Sequence, residues 1–173
     1  MKWVSHVAIA AAVAAPFSPA AVPVAALGAT APDWLEWLEE GVLHRRVRHR
    51  THTHYLAVWA LVALLGFLVW DFRGWIAWFG VGACTHWFAD ALTIQGVPLG
   101  WWSDRRVHLF GGRVRTGSGG EFVIAAACVA IAAMVVWQSE ASGFLPFFYN
   151  WGEFYGRGLI DGLEWRNHRF NWL

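Results

Sequence analysis

WIAWFGVGACTHWFADAL, residues 75–92, is long enough to cross a bilayer at about 1.5 Å per residue, yet it carries His86 and Asp90. An imidazole and a carboxylate four residues apart share one face of a helix, and Thr93 stands one turn further along it. Ionisable groups in an apolar segment of this kind are costly and usually functional. The plainer reading is a histidine and an aspartate that hydrogen-bond each other or nearby backbone.

The composition supports a membrane setting. Of 173 residues, 57% are hydrophobic, 17% aromatic and only 14% charged, a balance that water-soluble domains rarely show. A net charge of +1 gives no bulk attraction for nucleic acid. Cys84 and Cys128 each lie in an apolar run outside any CxxC pair, so they read as buried thiols rather than a disulfide or a thiolate metal site.

Residues 55–72 (YLAVWALVALLGFLVWDF) form a second candidate crossing, joined to residues 75–92 by a tight turn at DFRG, 71–74. Residues 122–137 (FVIAAACVAIAAMVVW) form a third, with Trp137 as interfacial anchor. The apolar stretch 4–31 is interrupted by PFSP at 16–19, which ends a helix near Ala15 and favours a re-entrant hairpin of two shorter helices. Met1-Lys2 and the following alanines also have the outline of a secretory signal, but His6, Pro16 and Pro19 suit one poorly and no soluble domain follows. The expected fold is all-α: a polytopic membrane helical bundle with a re-entrant N-terminal helical hairpin and about three transmembrane helices. Residues 1–138 form the membrane-embedded domain, and residues 139–173 an aromatic-rich interfacial tail. Arginines crowd two loops, at 45, 46, 48 and 50 and at 105, 106, 113 and 115, and this side is expected to be cytoplasmic.

This topology brings the polar residues to one level. His54 precedes one crossing, His86 and Asp90 close another, and Glu121 opens the third; a hairpin at PFSP returns His6 and Asp33 to the same interface. Each also has an ordinary explanation. Thr30 and Asp33 in TAPD fit a helix start, SGGE at 118–121 has capping-box spacing, and His44 and His52 suit a solvated basic loop. The glycine-rich loop 110–120 lacks a Walker lysine, although Arg113 and Arg115 beside a helix N-terminus can cradle an anion. Neither GxSxG nor HExxH is present, which disfavours common serine hydrolases and zincins.

His6, Pro32-Asp33, HRxxTH at 49–54, HxxxDxxTxxGVPL at 86–99 and the glycine-led Glu121 together resemble the YdjM-like family of LexA-regulated bacterial inner-membrane proteins. The resemblance covers roughly residues 3–137. That family is described as metal-dependent hydrolases and is grouped distantly with zinc-dependent phospholipase C and all-helical single-strand nucleases. The resemblance implies metal ligands at His6, Asp33, His49, His54, His86, Asp90 and Glu121, with Thr93 supporting them. The family usually places a second acidic residue two positions after the Pro-Asp aspartate, with a histidine following; here that position is Leu35, which cannot bind a cation, and Glu36 is the candidate substitute.

The expected function is a multi-pass inner-membrane hydrolase using a divalent metal, zinc by preference, near the cytoplasmic face. Asp33 or Glu121 would act as general base, and Arg113 and Arg115 would position an anionic substrate. The bilayer is the expected partner, and a phosphoester or lipid-linked molecule the expected substrate, with no nucleic acid. The alternative is a non-catalytic membrane protein with a structural metal site or a cation pathway.

Overall fold

Proline at position 16, which cannot donate a helical hydrogen bond, closes α1 (Trp3–Ala14), and a 3-10 turn at Pro19–Ala21 reverses the chain into α2 (Val22–Leu43). The two helices pack side by side as a hairpin. The computed structural model describes residues 1–44, 48–68, 74–142, 156–158 and 161–163. The predicted turn at 71–73, Arg45, Arg46 and most of the predicted tail at 139–173 lie outside the described residues.

Thr30 does not cap a helix start. α2 runs straight through Pro32, and the Thr30 hydroxyl donates back to the Leu27 carbonyl at 2.9 Å. Pro32 leaves the carbonyl four residues earlier, that of Gly28, without its helical donor and loosens this turn.

α3 (Leu56–Leu68) and α4 (Trp75–Ala91) follow, and α5 (Gly119–Ser142) encloses the third predicted crossing. Among the described residues one helical segment, Gly119–Gln138, is long and apolar enough to cross a membrane, and only 17% of its most apolar window is buried, unlike a soluble core helix. Among the described residues α3 and α4 have 13 and 17 helical residues, against the roughly 20 of a typical span.

The all-α expectation needs one correction. β1 (Val97–Gly100) and β2 (Ser103–Val107) form an antiparallel hairpin, with Val97 opposite Val107 and Gly100 opposite Ser103. β1 is too short for its alternation to be read from sequence. It is fixed instead by tertiary contacts: the Trp87 indole donates to the Pro98 carbonyl at 2.7 Å, and Val97 packs on Trp87 and Ala91.

α4 lies between α2 and α3 and touches both through residues with almost no side chain. A Cβ on Gly28 would stand 2.0 Å from the Phe79 carbonyl oxygen, and one on Gly82 would stand 2.0 Å from that of Ala25. Gly80 and Gly66 make the same approach between α4 and α3, at 2.4 and 2.2 Å from backbone nitrogens of Ala63 and Ala77. The buried clusters are alanine-rich, whereas Leu61, Leu64, Phe67, Trp75 and Ile76 point outward. Small residues inside and large apolar residues outside are the arrangement expected where the surroundings are lipid.

This packing predicts opposite outcomes at two glycines of the helices. Gly82→Ala should destabilise the fold by about 1–3 kcal/mol, because its methyl meets backbone that cannot move aside. Gly41→Ala, which meets nothing within 4 Å, should be neutral or gain about 0.4–1 kcal/mol. Thermal unfolding followed by circular dichroism in detergent measures both, and equal shifts at the two positions would contradict the packing.

Candidate metal centre

Gly82, His86 and Asp90 occupy successive turns of one face of α4, so the close approach that Gly82 permits carries His86 onto α2. The His86 Nδ1–H donates to the Ala29 carbonyl at 2.7 Å, beside the turn loosened by Pro32. This bond fixes the tautomer and leaves Nε2 bare and inward-facing, as is usual for a metal-ligating imidazole.

Three elements bring further donors to that nitrogen. α1 stacks the His6 ring on His86, with centroids 3.8 Å apart and planes 9° from parallel. Asp90 reaches both rings: its Oδ1 lies 3.5 Å from His6 Nε2 and its Oδ2 3.5 Å from His86 Nε2. From α2, Asp33 Oδ1 lies 3.8 Å from His86 Nε2 and 3.3 Å from His54 Nε2. His54 stands on the 3-10 turn His52–His54, which the Trp59 indole anchors by donating to the Thr53 carbonyl at 2.7 Å. Glu36 gathers this loop, accepting from the Arg50 backbone N–H at 2.9 Å and the Thr53 hydroxyl at 2.9 Å, with His49 Nδ1 at 2.6 Å and His54 Nδ1 at 3.1 Å.

The result is three linked donor groups: His6, His86 and Asp90; Asp33, His54 and His86; Glu36, His49 and His54. His86 belongs to two groups and His54 to two, so the three form one continuous cluster. The donors fit a divalent metal. His6, His54 and His86 each keep a buried Nε2 without a hydrogen-bond partner, an arrangement that is costly unless another ligand is taken up. Their separations from the carboxylates, 3.3 to 3.8 Å, are long for hydrogen bonds. They suit two atoms sharing one ion, since donors about 2.0 Å from a tetrahedral zinc stand roughly 3.3 Å apart.

Charge balance is maintained within the cluster. Burial works against ionisation of Asp33, but the His54 and His86 imidazoles beside it hold its carboxyl down at about 2. Burial likewise opposes a charge on His54, and the neighbouring carboxylates of Asp33 and Glu36 outweigh it and raise its pKa above the ordinary value. Glu36 is held well below the carboxylate range, burial being overcome by His49 and His54. A proton on His54 thus offsets the carboxylates beside it, and a metal would displace it.

A family model described as YdjM inner membrane protein matches residues 1–152. The chain belongs to that family. Neither a curated protein nor a solved structure matches it.

Six of the seven expected ligands meet in the cluster: His6, Asp33, His49, His54, His86 and Asp90. Glu121 does not. Its oxygens accept from the Lys2 backbone N–H at 2.7 Å, the Ser5 hydroxyl at 2.5 Å and the Gly117 N–H at 2.6 Å, so it pins the start of α1 to the start of α5. Glu36, the candidate substitute for the missing acidic ligand, is a member of the third group. Thr93 donates its hydroxyl to the Asp90 carbonyl at 2.7 Å, and His52 pairs with Glu39 on an exposed edge. Arg113 and Arg115 are exposed on the loop before α5. Arg50, which the sequence presents only as one of four loop charges, is 4% exposed and its Nε lies 2.9 Å from Asp90 Oδ2. Its place inside HRxxTH, between the candidate ligands His49 and His54, is the available signal.

The shared ligands predict a graded loss of metal. In protein purified in detergent, elemental analysis should find metal in the native chain, a partial loss in Asp90→Ala and a larger loss in His86→Ala, which serves two groups. His52→Ala should retain the native content. Metal undiminished by His86→Ala would place the ion elsewhere.

Proposed function

We propose that the chain is a multi-pass hydrolase of the inner membrane that binds zinc or a similar divalent metal in this cluster and cleaves a phosphoester, on a lipid or a lipid-linked molecule. The observation that carries the reading is the trio of bare, buried Nε2 atoms facing carboxylates across metal-sharing distances. In this reading α3 and α4 cross the bilayer as a hairpin, α5 crosses it packed on α1, and the cluster sits near the cytoplasmic face. The family's membrane placement and the lipid-like packing support it.

A divalent metal held there supplies an acidified water and offsets the charge that develops on a phosphoryl oxygen. The chain's own groups divide the remaining work. His6, His86 and Asp90, each 1% exposed, bind and exclude bulk water. The Asp33 side chain is 14% exposed, with the Trp3 indole donating to its Oδ2 at 2.7 Å, so this carboxylate orients a water and accepts its proton at the open edge. Arg113 and Arg115 lie on the loop leading into α5, the end that Glu121 ties to α1 beside His6, and they attract an anionic substrate. A cation pathway would distribute ionisable groups through the membrane depth, whereas these gather at one end of α1 and α4.

Purified protein loaded with zinc should hydrolyse a chromogenic phosphodiester or phospholipids in vesicles, lose the activity on chelation and regain it with metal. Asp33→Asn should lower kcat by about 10²–10⁴-fold, the usual contribution of a positioned base. Bound metal without turnover on either substrate class, or turnover insensitive to chelation, would overturn the hydrolase.

A further inference from the structure

The orphan in this site is the buried guanidinium of Arg50, which neither binds a metal nor faces solvent. Its backbone takes the left-handed conformation at φ 60°, uncommon outside glycine, and that geometry turns the N–H and the side chain in different directions. The N–H reaches Glu36 Oε1 at 2.9 Å. The guanidinium crosses to α4, where Nε stands 2.9 Å from Asp90 Oδ2 and Nη1 donates to the Thr93 hydroxyl at 3.0 Å and the Gly96 carbonyl at 3.2 Å. Thr93 in turn holds the Asp90 carbonyl.

We propose that Arg50 is the positioning residue of the metal centre: it orients Asp90 for the His6–His86 group and joins that group to the Glu36–His49–His54 group at the opposite end. The inference rests on the metal reading above and adds to it a residue that acts through the ligands. Two features support the role. Pairing with Oδ2 at 2.9 Å, Arg50 holds one side of the Asp90 carboxylate, while Oδ1, which the buried Met1 ammonium pairs with, stays turned to His6, 3.5 Å away. The planar guanidinium also meets two anchors at the C-terminal end of α4, where the helix dipole favours a positive charge. A lysine ammonium carries the charge but cannot span Asp90, Thr93 and Gly96 together.

The test compares zinc affinity, by competition with a chromophoric chelator, and the visible spectrum of the cobalt-substituted protein in native, Arg50→Lys, Arg50→Gln and Thr93→Val chains. Arg50→Gln and Arg50→Lys should bind the His6–His86–Asp90 metal about 10–100-fold more weakly, the usual effect of losing a group that orients a ligand. Both should alter the cobalt spectrum while helix content and the remaining metal are retained. Thr93→Val, which removes one anchor of the guanidinium, should shift in the same direction by less. Native affinity and spectrum in a folded Arg50→Gln chain would overturn the positioning role and leave the metal centre standing. Full rescue by lysine would reduce the role to charge alone and also overturn it. A native chain that binds neither zinc nor cobalt would sink the metal reading itself, and this inference with it. Should both Arg50 variants fail to fold, the cobalt spectrum of Thr93→Val decides, an unchanged spectrum counting against the proposal.

Discussion

The backbone-to-backbone approach of α2 and α4 is the constraint from which the rest follows. Gly28 and Gly82 leave no space for a methyl group between the helices, so the two axes come close enough for an imidazole on one to bond a carbonyl on the other. A larger residue at either position would move His86 away from Ala29, release its tautomer and open the gap to Asp33. Pro32 contributes at the same level by loosening the turn that receives His86. The site is therefore a product of the packing of small residues, and its precision derives from the rigidity of that packing.

The cluster meets the cost of burying charge by sharing it. Three carboxylates, three buried imidazoles, one guanidinium and the Met1 ammonium are arranged so that every acid faces at least one base. A buried pair is costly to break and gives little net stability, so retaining this many in an alanine-rich fold argues for use rather than support. The groups differ in exposure. The His6–His86–Asp90 group is closed, whereas Asp33 and His49 reach the edge of the cluster.

Much of this is legible in the sequence alone, for physical reasons that can be named. PFSP ends a helix whatever surrounds it, and the i, i+4 spacing of His86 and Asp90 places both on one face wherever α4 goes. Convergence of His6, Asp33 and His54 followed from the hairpin. What the sequence did not disclose depends on contacts between distant segments. Thr30 has the local chemistry of a cap, but a helix already begun at Val22 carries through it. Glu121 has the chemistry of a ligand, but Lys2, Ser5 and Gly117 occupy its oxygens. Arg50 looks like a topological charge until the left-handed turn at its backbone sends it inward. The hairpin at Val97–Val107 is held by Trp87, a partner that no local pattern reveals.

The central claim is that histidine nitrogens and carboxylate oxygens of this cluster hold the metal. X-ray absorption at the zinc K-edge on the purified protein tests it without reference to activity. The account predicts a first shell of nitrogen and oxygen at about 2.0–2.2 Å, with the outer-shell scattering of imidazole rings. A sulfur shell at about 2.3 Å, which would draw the metal to Cys84 or Cys128, or no zinc in protein purified with zinc present, would contradict it.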